Sequence, residues 1–182
     1  MSAGLSNDAT ITDRLFSPKS LNDVTYDRNG VCNTHLKEES CKDSVVDIVG
    51  LPEDVRILTI ADFPQTEHFF AGHKLGCRGD FTILDTVGKL IIHLEIKRSK
   101  KSGVKDQLLG SSALIPYFRA LAAKKLSEGH YLAAYKERFV SVGYTSLDMR
   151  NMSGRRISGN GESIDDIRRI FYPGLLQYRN LI

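Results

Sequence analysis

The sequence predicts an α/β sandwich, a central mixed β-sheet flanked by helices. Three observations carry this. The order of elements along the chain is helix, strand, hairpin, long helix, strand, helix, which is not a regular βαβ repeat. The second half of the hairpin, Leu90 to Lys97 (LIIHLEIK), has the apolar, β-branched composition of an inner strand. The stretch after it, Val104 to Leu126, has the apolar content of a long packed helix.

The elements follow in order. Residues 1–30 are polar and carry the turn formers Ser17-Pro18, Asn22-Asp23 and Asn29-Gly30, so they read as an irregular lead-in with at most short pieces of structure. Residues 31–182 read as one domain. A helix is expected over 34–49, capped by Thr34, with Leu36, Ser40, Val45, Ile48 and Val49 as a partial apolar stripe and Gly50-Leu51-Pro52 as its stop. Val55 to Ile60 is a β-branched strand. Residues 62–79 read as a loop with an aromatic patch at Phe69-Phe70. Phe81 to Leu84, the turn at Asp85 to Gly88 and Leu90 to Lys97 form a hairpin. In the long helix, Pro116 is expected to kink or split the rod. Tyr135 to Tyr144 is a further strand, and Met149 to Gly161 a loop. Ser163 is placed to cap a last helix from Ile164 to about Phe171, ended by Pro173-Gly174.

Composition bounds the function. The chain has 182 residues, 41% hydrophobic and 26% charged, which excludes wholesale disorder, collagen and coiled coil. No apolar run approaches the roughly 20 residues of a membrane helix, and Met1 to Asp13 has no secretory pattern. Three cysteines without an export signal point to a reducing interior: the cytoplasm, or the nucleus in a eukaryotic or viral setting. The net charge of +3 is uneven. Residues 1–90 hold 9 Lys/Arg against 14 Asp/Glu, and residues 91–182 hold 16 against 8. A basic C-terminal half suggests an anionic partner, nucleic acid first.

The chemistry concentrates on Asp80, Glu95 and Lys97. Glu95 and Lys97 are two apart in a strand and share a face, while Leu94 and Ile96 point into the core. An inner strand does not carry a Glu and a Lys on one face without cause. An even-length hairpin loop, Asp85–Gly88 or Thr86–Lys89, sets Asp80 opposite His93 or Glu95, in either case on the Glu95 face. Two carboxylates and an ammonium then converge. Hard carboxylates bind Mg²⁺ or Mn²⁺ and leave room for water and phosphate, and the Ile96 carbonyl is a further candidate ligand. Lys97 is the candidate to orient a water or stabilise developing charge. An ordinary Glu-Lys ion pair on a solvated sheet is the alternative.

Gly79-Asp80, then Glu95-Ile96-Lys97 on the next strand, resembles the PD-(D/E)XK nuclease superfamily, whose restriction-endonuclease-like core runs helix, strands, hairpin, helix, strand. The resemblance covers about residues 34–144. It implies metal-binding acids at Asp80 and Glu95, a catalytic lysine at Lys97 and a site glutamine at Gln107. Gly79 stands where the family motif has Pro. The implied activity is metal-dependent hydrolysis of phosphodiester bonds, in DNA before RNA. The rival is a catalytically inactive nucleic-acid-binding or assembly module on the same fold.

Some relatives add an acid or a histidine from the first helix, for which His35, Glu38 and Glu39 are the candidates. Arg98, Lys100, Lys101 and Lys105 follow the motif and are candidate phosphate contacts. Arg155 and Arg156 form a second candidate contact loop. A zinc site from Cys32, His35, Cys41, His73 and Cys77 matches no standard spacing. A chain this short has little room for a recognition domain, so specificity is expected from a homodimer, a partner protein or the N-terminal 30 residues.

Overall fold

The computed structural model describes residues 7–37, 45–61, 63, 76–97, 103–143, 156–171 and 175–182. It is a mixed α/β protein, with two mixed β-sheets and two α-helices among the described residues. The elements are α1 (Asn7–Leu15), β1 (Thr25–Tyr26), β2 (Cys32–Lys37), β3 (Val45–Leu51), β4 (Arg56–Thr59), β5 (Phe81–Asp85), β6 (Leu90–Lys97), α2 (Val104–Leu121), β7 (Lys136–Gly143), β8 (Arg156–Ser158), β9 (Arg168–Phe171) and β10 (Leu175–Gln177).

The six-stranded sheet runs β4-β5-β6-β7-β9-β8. β4, β5 and β6 are successive antiparallel neighbours. The chain then crosses through α2 and returns as β7, parallel to β6. β9 is parallel to β7, and β8 closes the edge antiparallel to β9. The second sheet runs β1-β2-β3-β10, with β10 parallel to β3 and the other pairs antiparallel.

Apolar burial sets the layers. Leu36, Val46, Ile48, Ile83, Ile92, Leu94, Val140 and Ile170 fill the space between the sheets. Ile91 and Leu84, on the opposite face, pack under Ile11 of α1 and Ile115 and Phe118 of α2. Each such side chain contributes about 1.5–3 kcal/mol by leaving water. Helices therefore cover one face of the large sheet and a second sheet covers the other, where the sequence predicts one central sheet flanked by helices.

Several elements differ from expectation. Residues 34–49 do not form one helix: the described parts are β2 and β3, paired antiparallel from Lys37↔Val45 to Cys32↔Leu51. In β2 burial alternates, with Cys32, Thr34 and Leu36 inside. The β-branched run Val45, Val46, Ile48, Val49 loses rotamer freedom in a helix and packs well on a pleated sheet. The period of two within each half wins over the looser helical spacing across both. The lead-in contains α1, whose Ala9, Ile11 and Thr12 are buried.

Ser163 does cap, but only a single turn: its Oγ and its carbonyl both accept from the Asp166 N–H, at 3.3 and 3.1 Å. The chain beyond is β9, not a helix. Ile167 packs under α2 while Ile170 packs between the sheets, which only an extended backbone allows. Gly161 makes the preceding turn at φ +73°, its carbonyl accepting from Phe139 and its N–H donating to Asp166. Arg156–Ser158 is strand β8, inside the stretch expected to be loop. Pro116 does not split α2, which runs through it and widens to π geometry only at Ala122–Leu126.

Candidate metal and phosphodiester site

Asp80 is set in place from two sides. Its carbonyl accepts from the Ile60 N–H at 2.9 Å, just beyond β4. Its predecessors lie against α2, where a Cβ on Gly110 would run into the Cys77 carbonyl. The Gly79 N–H donates to Ser111 Oγ at 2.8 Å, and that hydroxyl donates to the Gln107 carbonyl at 3.3 Å. A proline at position 79 would have no N–H to give, so Gly79 carries a hydrogen bond that a proline there could not make.

The hairpin register is the Thr86–Lys89 alternative. Asp85 pairs with Leu90 and Phe81 with Leu94, so the next step carries Asp80 beside Glu95. Both carboxylates are buried, at 7% and 0% exposure. Asp80 Oδ2 accepts from the Ile96 N–H at 2.7 Å. A strand residue's N–H and C=O face the same neighbour, so the Ile96 carbonyl lies toward Asp80 as well. Lys97 Nζ is 2.5 Å from Glu95 Oε1 and is one-quarter exposed. The ammonium thus offsets one of two adjacent buried charges, which like-charge repulsion and desolvation would otherwise penalise.

The donor set fits a hard divalent cation. Mg²⁺ takes one or two carboxylates and keeps several waters, and Asp80 with Glu95 supplies that number. No group of three or more His, Cys, Asp or Glu is placed to hold a metal among the described residues. Cys32 is buried and Cys77 half-buried, both free. His35 lies on the outward face of the second sheet, 2.6 Å from Asp47, with Leu36 beside it pointing into the core between the sheets. It is separated from Glu95 by both sheets. Glu38, Glu39, Arg98, Lys100, Lys101, Arg155, Cys41 and His73 lie outside the described residues.

No family model, curated protein or solved structure matches this chain. No helix among the described residues is long and apolar enough to cross a membrane.

Gln107 is half-buried in the second turn of α2, and its carbonyl ties it to Ser111 and hence to Gly79. Lys105 is exposed and engaged with Asp165 at 2.6 Å. An exposed pair of this kind is worth at most about 1 kcal/mol, so the ammonium is easily released to another anion.

One polar chain on the α2 face escapes sequence reading. His93, fully buried, sets Nε2 2.9 Å from Glu137 Oε2 and Nδ1 3.3 Å from Thr82 Oγ1. Ser112 of α2 donates to the same Glu137 oxygen at 2.5 Å. Burial pushes the Glu137 carboxyl up, but the His93 and Ser112 hydrogen bonds more than offset this and hold it below its usual value. This chain ties α2 to β5, β6 and β7 directly beneath Glu95. Its signal in the sequence is one histidine in an apolar strand. The partners come from pairings far apart in the chain.

Proposed function

We propose that this chain is a metal-dependent nuclease of the PD-(D/E)XK type, hydrolysing phosphodiester bonds in DNA before RNA. The observation that carries the reading is the register of β5 on β6, with Asp80 beside Glu95 and the Lys97 ammonium on Glu95. The order of the large sheet supports it too. Three antiparallel strands, a crossing helix and a parallel fourth strand are compatible with the hairpin, helix, strand part of the core that the resemblance implies, although its first helix, expected over 34–49, is replaced by β2 and β3.

Asp80, Glu95 and the Ile96 carbonyl are the groups that would hold Mg²⁺ or Mn²⁺. A bound ion lowers the pKa of a water and offsets charge on the phosphate oxygens. Lys97, partly exposed beside Glu95, is the group to orient the attacking water or to stabilise charge on the phosphate. The Gln107 backbone carbonyl, through Ser111 and Gly79, helps to position Asp80, and its side chain is the site glutamine that the resemblance implies. Arg98, Lys100, Lys101 and Lys105 are proposed phosphate contacts.

The test is cleavage of DNA and RNA, each in Mg²⁺, Mn²⁺ and EDTA, by wild type and by Lys97→Ala. Cleavage that EDTA and the substitution both abolish supports the reading. Nucleic-acid binding unchanged in EDTA, with no cleavage in any metal, replaces it with the inactive binding module.

A further inference from the structure

One row of residues crosses the large sheet at the level of Glu95. The β5–β6 register carries Asp80 beside Glu95, β6–β7 pairs Glu95 with Ser141, and β7–β9 pairs Ser141 with Arg169. All four share the α2 face. For Arg169 its neighbours decide this. Ile170 packs between the sheets, and Arg168 Nε donates to the Asn180 carbonyl on that same side, at 2.7 Å. Arg169, between them, points the other way.

Arg169 differs from the other cations near it. Arg138 is paired with Glu162, and Lys105 with Asp165. Arg169 is exposed, and no ion pair or side-chain hydrogen bond engages it among the described residues. Neighbouring strands are about 4.8 Å apart, which puts Arg169 two strands, or about 10 Å, from Glu95. The residue between them, Ser141, is small, buried and hydroxyl-bearing. The row therefore runs from two carboxylates, through a hydroxyl, to an open guanidinium. A guanidinium stays charged at any working pH and matches phosphate oxygens with two parallel N–H donors.

We infer that Arg169, with Ser141 beside it, binds a backbone phosphate of the substrate strand adjacent to the one held at Asp80 and Glu95. This rests on the nuclease reading of that site. It sets the path of the substrate across the sheet, from β6 toward the β8 edge, and it adds affinity without reading bases.

The test is fluorescence anisotropy with a labelled DNA duplex in EDTA, at several salt concentrations. The proteins are wild type, Arg169→Ala, Arg169→Lys and, as an exposed arginine in the turn after β10, Arg179→Ala. Cleavage and Mn²⁺ binding by calorimetry are measured on the same preparations. Arg169→Ala is expected to weaken binding about 10- to 100-fold, the scale of one charged hydrogen-bonded contact. It should also flatten the salt dependence by about 0.9 in slope, one phosphate's worth. Arg169→Lys should keep the slope, Arg179→Ala should bind as wild type does, and Mn²⁺ binding should not change. Wild-type affinity and slope in Arg169→Ala would overturn the inference while leaving the nuclease reading intact if wild type cleaves. An Arg169-dependent slope in a protein that cuts nothing in any metal would support the contact and sink the nuclease reading. Wild type that binds no nucleic acid would overturn both.

Discussion

The Ile96 N–H donates to Asp80 Oδ2 at 2.7 Å, so a side chain takes over the β5–β6 ladder where the backbone pairing ends. The bond fixes the Asp80 carboxylate at the level of Glu95. It also separates two properties by substitution. Asp80→Ala strands a buried N–H and should cost about 1–3 kcal/mol. Asp80→Asn keeps an acceptor oxygen and should melt near wild type while losing Mn²⁺ affinity. Thermal melts beside metal titrations of the two variants check this. Equal melting of Asp80→Ala and wild type would contradict it.

Lys97 sits on Glu95 but is partly open to solvent. If it serves the water or the phosphate, Lys97→Ala should lose at least about 100-fold in cleavage rate, the scale of removing one preorganised electrostatic group. Its Mn²⁺ affinity should stay within a few-fold of wild type. Single-turnover cleavage with a parallel calorimetric titration separates the two effects. Loss of metal binding in step with cleavage would make Lys97 a structural counter-ion.

Gly110 faces the Cys77 carbonyl with no room for a Cβ. Gly110→Ala must push residues 77–79 off α2 and break the Gly79–Ser111 bond. A stability loss of about 1–3 kcal/mol is expected, together with lost activity because Asp80 moves. Ser111→Ala, which removes only the hydroxyl, should cost less in stability yet still lower activity. A Gly110→Ala protein as stable and active as wild type would rule out this account of how Asp80 is placed.

Much of this is legible in the sequence, and the limit is physical. β5, β6 and α2 stand out because turn formers and Gly103 bracket β-branched and apolar runs, and Glu95 and Lys97 share a face by the period of two alone. β2 and β3 do not stand out. Leu36, Ser40 and Val45 approximate a helical stripe, and the alternation that decides the matter is short in each half. The last helix fails for a similar reason: Ser163 carries a true capping signal, but Ile167 and Ile170 are drawn to opposite faces of one sheet. Ser141, Arg169 and the His93–Glu137–Ser112 chain depend on parallel pairings between distant segments, which no local pattern encodes.

Alkaline pH should unfold the protein early. Burial pushes the Tyr131 hydroxyl up to about 12. It raises Tyr135 and Tyr178 as well, helped by their carboxylate partners Asp8 and Asp85. In the unfolded chain these groups ionise near 10. The folded state therefore holds protons that the unfolded state releases, so stability is full below about pH 10 and falls as pH rises toward 12 and beyond. Tyr178→Phe removes a buried bond of 2.5 Å to Asp85 and should cost about 1–2 kcal/mol at neutral pH. It should also flatten the alkaline decline. Melting curves from pH 8 to 12 on both proteins test this, and parallel declines would contradict it.

The most direct test of the central claim is a calorimetric titration of Mn²⁺ into wild type and Glu95→Gln, with cleavage of DNA and RNA measured on the same samples. Glu95→Gln keeps the side-chain shape and removes the charge, so it should fold as wild type does. The account predicts one metal-binding event in wild type that disappears in Glu95→Gln together with cleavage. Metal binding and cleavage that persist in Glu95→Gln would contradict it and leave Asp80, Glu95 and Lys97 as a structural charge cluster.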